Sequence, residues 1–414
     1  MDRTNDSPPL FMKTRLSAMF FMQFFVFGTT IPIISLYMKS FLGFSGSQIG
    51  IILATTSVSA FISPVIWAFI VDRVIRAERL LASSHILAAV CVFLLSFQDR
   101  FLPFFILYFL YMLFLGPTPA LNNSIAFSHL YPKAQNAFGK IRLWGTLGWI
   151  SVAWLFGFFW VRGGGDSAVA SRLSDALIIA SFGSVILALY ALTLPKRPLI
   201  SKKITGSIIP KDTFNVLLRK DILFLCISLF LLGVVDRFYF FGGSPYIDQM
   251  GVPDSAIMPV LSIGQMPELV GLGILGFLLG KFGYKKVLII GAFFQFFRFT
   301  IMAFNPPLIG VIPAISVHGF CVAFVLIASS IYVDNHCDNT TRAGVHQLFN
   351  IANFGLGKLV GNLLSGWVAD IFSKGDTILF SYFWGVAAGI SILLIFNIVF
   401  FFKESKPRSL QKQL

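Results

Sequence analysis

The chain has 414 residues and a formal net charge of +14, with 56% hydrophobic residues, 12% charged residues and 48 phenylalanines. A water-soluble fold cannot cover that much apolar surface, so an ordinary set of soluble domains is excluded. The positive charge would suit nucleic acid, but its distribution, given below, follows membrane topology instead.

Runs of about 20 mostly apolar residues, long enough for a hydrocarbon core of roughly 30 Å, recur along the whole chain. They predict an all-α membrane protein of twelve transmembrane helices. The runs lie near 16–38, 47–71, 80–97, 101–127, 138–162, 175–195, 221–246, 257–280, 286–304, 308–332, 342–370 and 377–402. The first, from Leu16, is span-length and lacks a small-residue cleavage site, so it is expected to remain as the first helix and not to be removed as a signal peptide. The loop after the second span, AFIVDRVIRAER at 68–79, is basic.

The fifth span opens with GKIRLWGTLGW at 139–149. A charge at the centre of a span costs at least about 2.5–3.5 kcal/mol, so Arg142 should face a cavity or a counter-charge, unless it snorkels from its place near the cytoplasmic end. Arg142, Thr146 and Trp149 stand at i, i+4 and i+7, on one helical face. Together they offer a planar multidentate donor, a hydroxyl and an aromatic plate, a set suited to a small polar ligand with a flat ring. The glycine-rich outside loop Arg162–Asp166 is too short to cradle a phosphate.

Residues 196–220 form the most polar interior stretch and read as a cytoplasmic linker between two six-helix bundles, 1–195 and 221–414. The seventh span carries Asp236 and Arg237, which point about 100° apart on a helix and should seek different partners. In the eighth, SIGQMPE puts Gln265 three residues before Glu268 with Pro267 between them, where backbone is freed or bent. A desolvated carboxyl there could alternate between protonated and ionised forms, which makes Glu268 a candidate proton-coupling site, with Asp236 a second; a static salt bridge from Glu268 to Arg298 or Arg237 is the alternative. Gly271-x-Gly273-x-x-Gly276 spells a dinucleotide fingerprint without βαβ context, and with Gly280 it reads as a helix-packing surface. A basic loop, LLGKFGYKKV at 278–287, follows in the position that 68–79 takes in the first half. Arg298, His318, His346 and Lys358 complete the polar residues of the later spans; the two histidines could serve as proton relays, though a lone histidine in a span is more often a packing residue.

Counting those at the span ends with the adjoining loops, Lys and Arg number 23 at the termini and in the even-numbered loops against 5 in the odd-numbered ones, which predicts both termini in the cytoplasm. Cys91, Cys226, Cys321 and Cys337 show no CxxC spacing, so neither a disulfide framework nor a metal site is expected, and no cofactor. No nucleophile–base pair stands at workable spacing, so the chain does not read as an enzyme.

The helix count, the six-plus-six division and Asp72-Arg73-x-x-Arg76 in the loop after the second span resemble the major facilitator superfamily. Within it, four stretches are similar to the nucleoside:proton symporter family: Pro117–Ile125, Gly139–Trp149, Ser262–Glu268 and Arg342–Gly366. The resemblance implies proton-coupled nucleoside import by alternating access through the cell (inner) membrane, by a monomer whose partners are the solute, protons and lipid, without nucleic acid. It further implies that Arg142, Thr146, Trp149, Gln265 and Glu268 contact the nucleoside, and Gln23 and Asn123 match polar positions of the family pattern. The chain departs from the pattern at Arg237 and Phe240, where amides are expected to face the solute. Arg237 leaves open an importer of another polar or aromatic solute, such as an aromatic acid or a sugar.

Overall fold

The computed structural model describes residues 10–71, 75–130, 135–160, 166–195, 216, 218–337 and 342–405. Asp72 and Arg73 of the basic loop, Arg162 to Gly165 and nearly all of the 196–220 linker lie outside the described residues.

Apart from a two-residue hairpin, Ser373–Lys374 with Thr377–Ile378, the regular structure is helical. In chain order the longer elements are α1 (Leu10–Thr30), α2 (Gly46–Val71), α3 (Ala77–Leu95), α4 (Phe101–Leu115), α5 (Thr118–Leu130), α6 (Gln135–Leu155) and α7 (Asp166–Thr193). They continue as α8 (Lys220–Gln249), α9 (Asp254–Ser262), α10 (Met266–Ala303), α11 (Leu308–Ser316), α12 (His318–Cys321), α13 (Ala328–His336), α14 (Arg342–Asn350), α15 (Lys358–Ile371) and α16 (Phe380–Phe396). Among the described residues, nine helical runs are long and apolar enough to cross a membrane. One of them, Asp254–Ala303, carries two of the twelve expected spans and is broken at Gly283, whose φ of 76° only glycine adopts at low cost. The expected spans 47–71 and 342–370 are helical but are not among the nine.

Where the sequence predicts single helices, the structure inserts breaks. Expected span 101–127 is divided at Gly116-Pro117 between α4 and α5, because proline cannot donate to the ladder. A 3₁₀ turn, Ile263–Gln265, separates α9 from α10 just before Pro267. Wider π turns at Val322–Ile327 and Ile351–Gly357 interrupt the tenth and eleventh spans.

The contacts group into two compact units, one of Met1–Phe44, Val58–Lys203 and Pro253–Pro259, the other of Ser45–Ser57, Ile204–Val252 and Val260–Leu414. The first has a core of Leu16, Phe20, Leu81, Ile125, Leu187 and their neighbours. Its closest helix pair is α1 with α6, made possible by Gly148: a Cβ there would stand 2.2 Å from the Phe21 carbonyl oxygen. The second unit has a core of Leu229, Val287, Phe324, Tyr332 and Leu394. Within it, Asp370 at the end of α15 caps the start of α2, accepting from Gly46 N at 2.5 Å and Ser47 N at 2.7 Å. A carboxylate there satisfies two of the orphan donors of a helix N-terminus and complements its dipole. The expected packing surface along α10 is reduced to Gly271, which meets Ala323 and Phe320. Gly273, Gly276 and Gly280 have nothing within 4 Å, so that correction removes the glycine ladder as a packing motif.

This contrast is testable by thermal unfolding of purified protein in detergent. Gly148→Ala should lower the apparent Tm, because the helices must part to admit the methyl group. Gly273→Ala should leave it unchanged or raise it, since alanine favours helix over glycine by about 1 kcal/mol where nothing clashes. A tolerated Gly148→Ala would contradict the packing described here.

Candidate functional site

In the first unit, the close approach of α1 and α6 sets the position of GKIRLWGTLGW. Arg142, Thr146 and Trp149 are half-buried, whereas Leu143, Trp144 and Leu147 are exposed, so the face predicted from spacing lies beside the buried line of Ile141, Gly145 and Gly148. The Arg142 guanidinium lies 4.0 Å from the Phe24 ring centroid and 5.9 Å from that of Phe20, both on α1. A desolvated cation held against aromatic faces gains electrostatic stabilisation of up to about 2 kcal/mol. This side chain lies against α1.

Gln23 is fully buried, and its amide is spent inside the protein. It donates to Thr118 Oγ1 at 2.8 Å and accepts at Oε1 from Asn122 at 3.0 Å, with His85 Nε2 also at 3.0 Å. Asn123, its expected companion, is half-buried next to the buried Asn122 on α5. The network of Thr118, Asn122 and His85 was not anticipated; the tandem Asn122-Asn123 and a histidine inside the third span were its traces in the sequence.

In the second unit, Asp236 and Arg237 do not seek different partners. Arg237 Nη2 donates to Asp236 Oδ2 at 2.7 Å, because the long arginine side chain can fold back across the 100° between the two positions. Lys358 at the start of α15 approaches the same oxygen at 3.8 Å. The Arg237 guanidinium also lies 4.3 Å from the Phe240 ring centroid. Arg298 is fully buried on α10 and bonds through Nη1 to His318 Nδ1 at 2.5 Å, so it is engaged by the histidine. His318 stacks on Tyr239 at 5.0 Å, as expected of a packing residue, and His346 pairs with Asp334 at 3.0 Å.

Gln265 and Glu268 flank the break before α10, and both are half-buried. The backbone of Glu268 passes so close to Gly319 that a Cβ there would stand 2.2 Å from Glu268 N, which sets the start of α10 against the helix turn carrying His318. Among the described residues, no group of three or more His, Cys, Asp or Glu is arranged to hold a metal. Each set, taken by itself, places charged or amide groups beside aromatic rings, chemistry that can hold a polar ring-containing molecule.

The chain is similar to the xanthosine permease of Escherichia coli (strain K12), with 30% identity over 408 residues and 94% of each chain covered. Its fold matches a crystal structure of the nucleoside transporter NupG at TM-score 0.84 and 23% identity, covering 95% of this chain and 100% of that one. A crystal structure of a D-xylose-proton symporter matches at TM-score 0.74 and 14% identity, over 96% of this chain and 99% of the other, as a major facilitator type of fold requires. The family profile described as nucleoside H+ symporter matches residues 10–407, and with that coverage the chain belongs to the nucleoside H+ symporter family.

Proposed function

We propose that this protein imports nucleosides together with protons by alternating access, in twelve spans with both termini in the cytoplasm of the cell (inner) membrane, as a monomer. The observation that carries the reading is the inward face of α6, where Arg142, Thr146 and Trp149 stand half-buried beside Phe24. A guanidinium fork and a hydroxyl suit the carbonyl, ring nitrogen and sugar hydroxyl groups of a nucleoside, and the indole suits its flat base. Gln265, Asn123 and Phe240 act on the same solute, while Gln23 holds α1, α3 and α5 in register through its buried amide. The bias of 23 basic residues against 5 between alternate loops supports the orientation.

Glu268 carries the proton. It sits where the helix ladder is broken, half-buried, next to Gln265, so its ionisation can be linked to solute contact. Asp236 is the second coupling candidate, held between Arg237 and Lys358. One proton moving down about 100 mV supplies roughly 2.3 kcal/mol, and each pH unit of gradient adds about 1.4, together enough for a few-hundredfold accumulation. A second reading, import of an aromatic acid or a sugar, is favoured by one residue, Arg237, a cation beside an aromatic ring.

Glu268→Gln keeps the hydrogen-bonding capacity but cannot titrate, so radiolabelled nucleoside should still bind and exchange across proteoliposomes while accumulation against a gradient disappears. Normal, pH-dependent uphill uptake in this variant would remove Glu268 from coupling.

Arg142→Lys keeps the charge and loses the planar fork. Losing a charged hydrogen-bond partner costs about 1.5–3 kcal/mol, or roughly 10- to 150-fold in affinity. Trp149→Ala should weaken binding comparably and Thr146→Val less, whereas Leu143→Ala, on the exposed face, should not weaken binding. Equilibrium binding of nucleoside to the purified variants measures all four, and near-normal affinity in folded Arg142→Lys would sink this arginine's role in holding substrate.

A further inference from the structure

The second unit carries more basic than acidic groups at the depth of its spans. Arg237 and Lys358 reach one oxygen of Asp236 from two helices, at 2.7 and 3.8 Å. Their meeting is fixed where α15 crosses α8 at Gly361, whose added Cβ would stand 2.5 Å from the Val234 carbonyl oxygen and 2.9 Å from Arg237 Cβ. One carboxylate offsets one cation, so this trio retains a positive remainder. Arg298, fully buried and bonded to His318, has Nε and Nη2 without a hydrogen-bond partner. With Lys358 protonated, Glu268 ionised and His318 neutral, these spans hold three basic groups and two carboxyls. In a low-dielectric interior such a remainder is costly unless an anion meets it.

Access and shape narrow the anion. The side chains of Arg237 and Lys358 remain 13% and 19% exposed, whereas Arg298 is sealed. Arg237 Nε is a buried donor without a partner, and the Phe240 ring lies against the same guanidinium at 4.3 Å. A planar fork backed by a ring and supplemented by an ammonium fits a flat, delocalised, singly charged anion. A phosphate ester dianion would exceed the remainder.

We propose that Arg237 and Lys358 make this transporter selective for nucleosides whose base ionises to an anion near neutral pH, as dioxopurine nucleosides do, over nucleosides with a neutral base. The inference rests on the nucleoside reading above and assigns Lys358 a part in specificity. An aromatic carboxylate would offer the same flat negative charge, and the test separates it.

Equilibrium binding to the purified full chain at neutral pH is measured for xanthosine, inosine, uridine and benzoate. Xanthosine should bind at least about tenfold more tightly than inosine, which lacks the second oxo group and stays neutral. Arg237→Gln and Lys358→Gln should each lose about tenfold more affinity for xanthosine than for inosine, with monodisperse elution and residual inosine binding showing that the variants are folded. Equal affinity for xanthosine and inosine, with both bound, would overturn the selectivity and leave the nucleoside reading standing. A preference that survives both substitutions would overturn the roles of Arg237 and Lys358. Tight benzoate binding without any nucleoside binding would overturn the nucleoside reading and this inference with it.

Discussion

A chain that crosses hydrocarbon must satisfy its own backbone hydrogen bonds, and the rest of this structure depends on that constraint. It makes the described segments helical nearly throughout, and it makes each interruption expensive enough to need a reason. Three of them lie close to polar residues of the second unit. The 3₁₀ turn Ile263–Gln265 precedes Glu268, the π turn Ile351–Gly357 delivers Lys358, and the π turn Val322–Ile327 follows the short helix carrying His318. Departures from the α-helix ladder thus stand next to the polar side chains of the second unit, a placement common where helices carry function.

The same scarcity of water governs the side chains. Gln23 is tolerated at zero exposure because Thr118, Asn122 and His85 meet its amide, and Asp236 because two basic groups share it. Arg142 is held over the phenylalanines of α1 in space left by Gly145, where a Cβ would stand 2.7 Å from the Phe24 ring and 2.8 Å from Arg142 Nη1. Close backbone approach and charge placement are therefore one design problem here: the small residue brings the helices together, and the long cation occupies the seam beside it.

How much of this was legible before the structure depends on the range of the interaction. Apolar run length reports on the bilayer directly, and it marks the helical segments. The inward face of α6 could be read because Arg142, Thr146 and Trp149 obey the helix period, a local property. Pairings across helices could not. The sequence places Asp236 and Arg237 on different bearings, and only side-chain length and the arrival of α15 at Gly361 bring Arg237 and Lys358 to the same oxygen of Asp236. The glycines of α10 spell a packing pattern that their neighbours do not use, because spacing says nothing about whether a partner helix is present. The anchoring of Asp221 by Tyr332 and Ser405 was invisible for the same reason, both partners being more than a hundred residues from it.

The central claim is that nucleoside movement and proton movement are one event. Proteoliposomes containing a trapped pH-sensitive dye, with potassium and valinomycin setting an inward-negative potential, test it directly. Addition of external nucleoside to a wild-type preparation should acidify the lumen in step with uptake of the labelled compound, at a fixed ratio of protons to nucleoside. Uptake of labelled nucleoside with no change in lumenal pH would contradict the account.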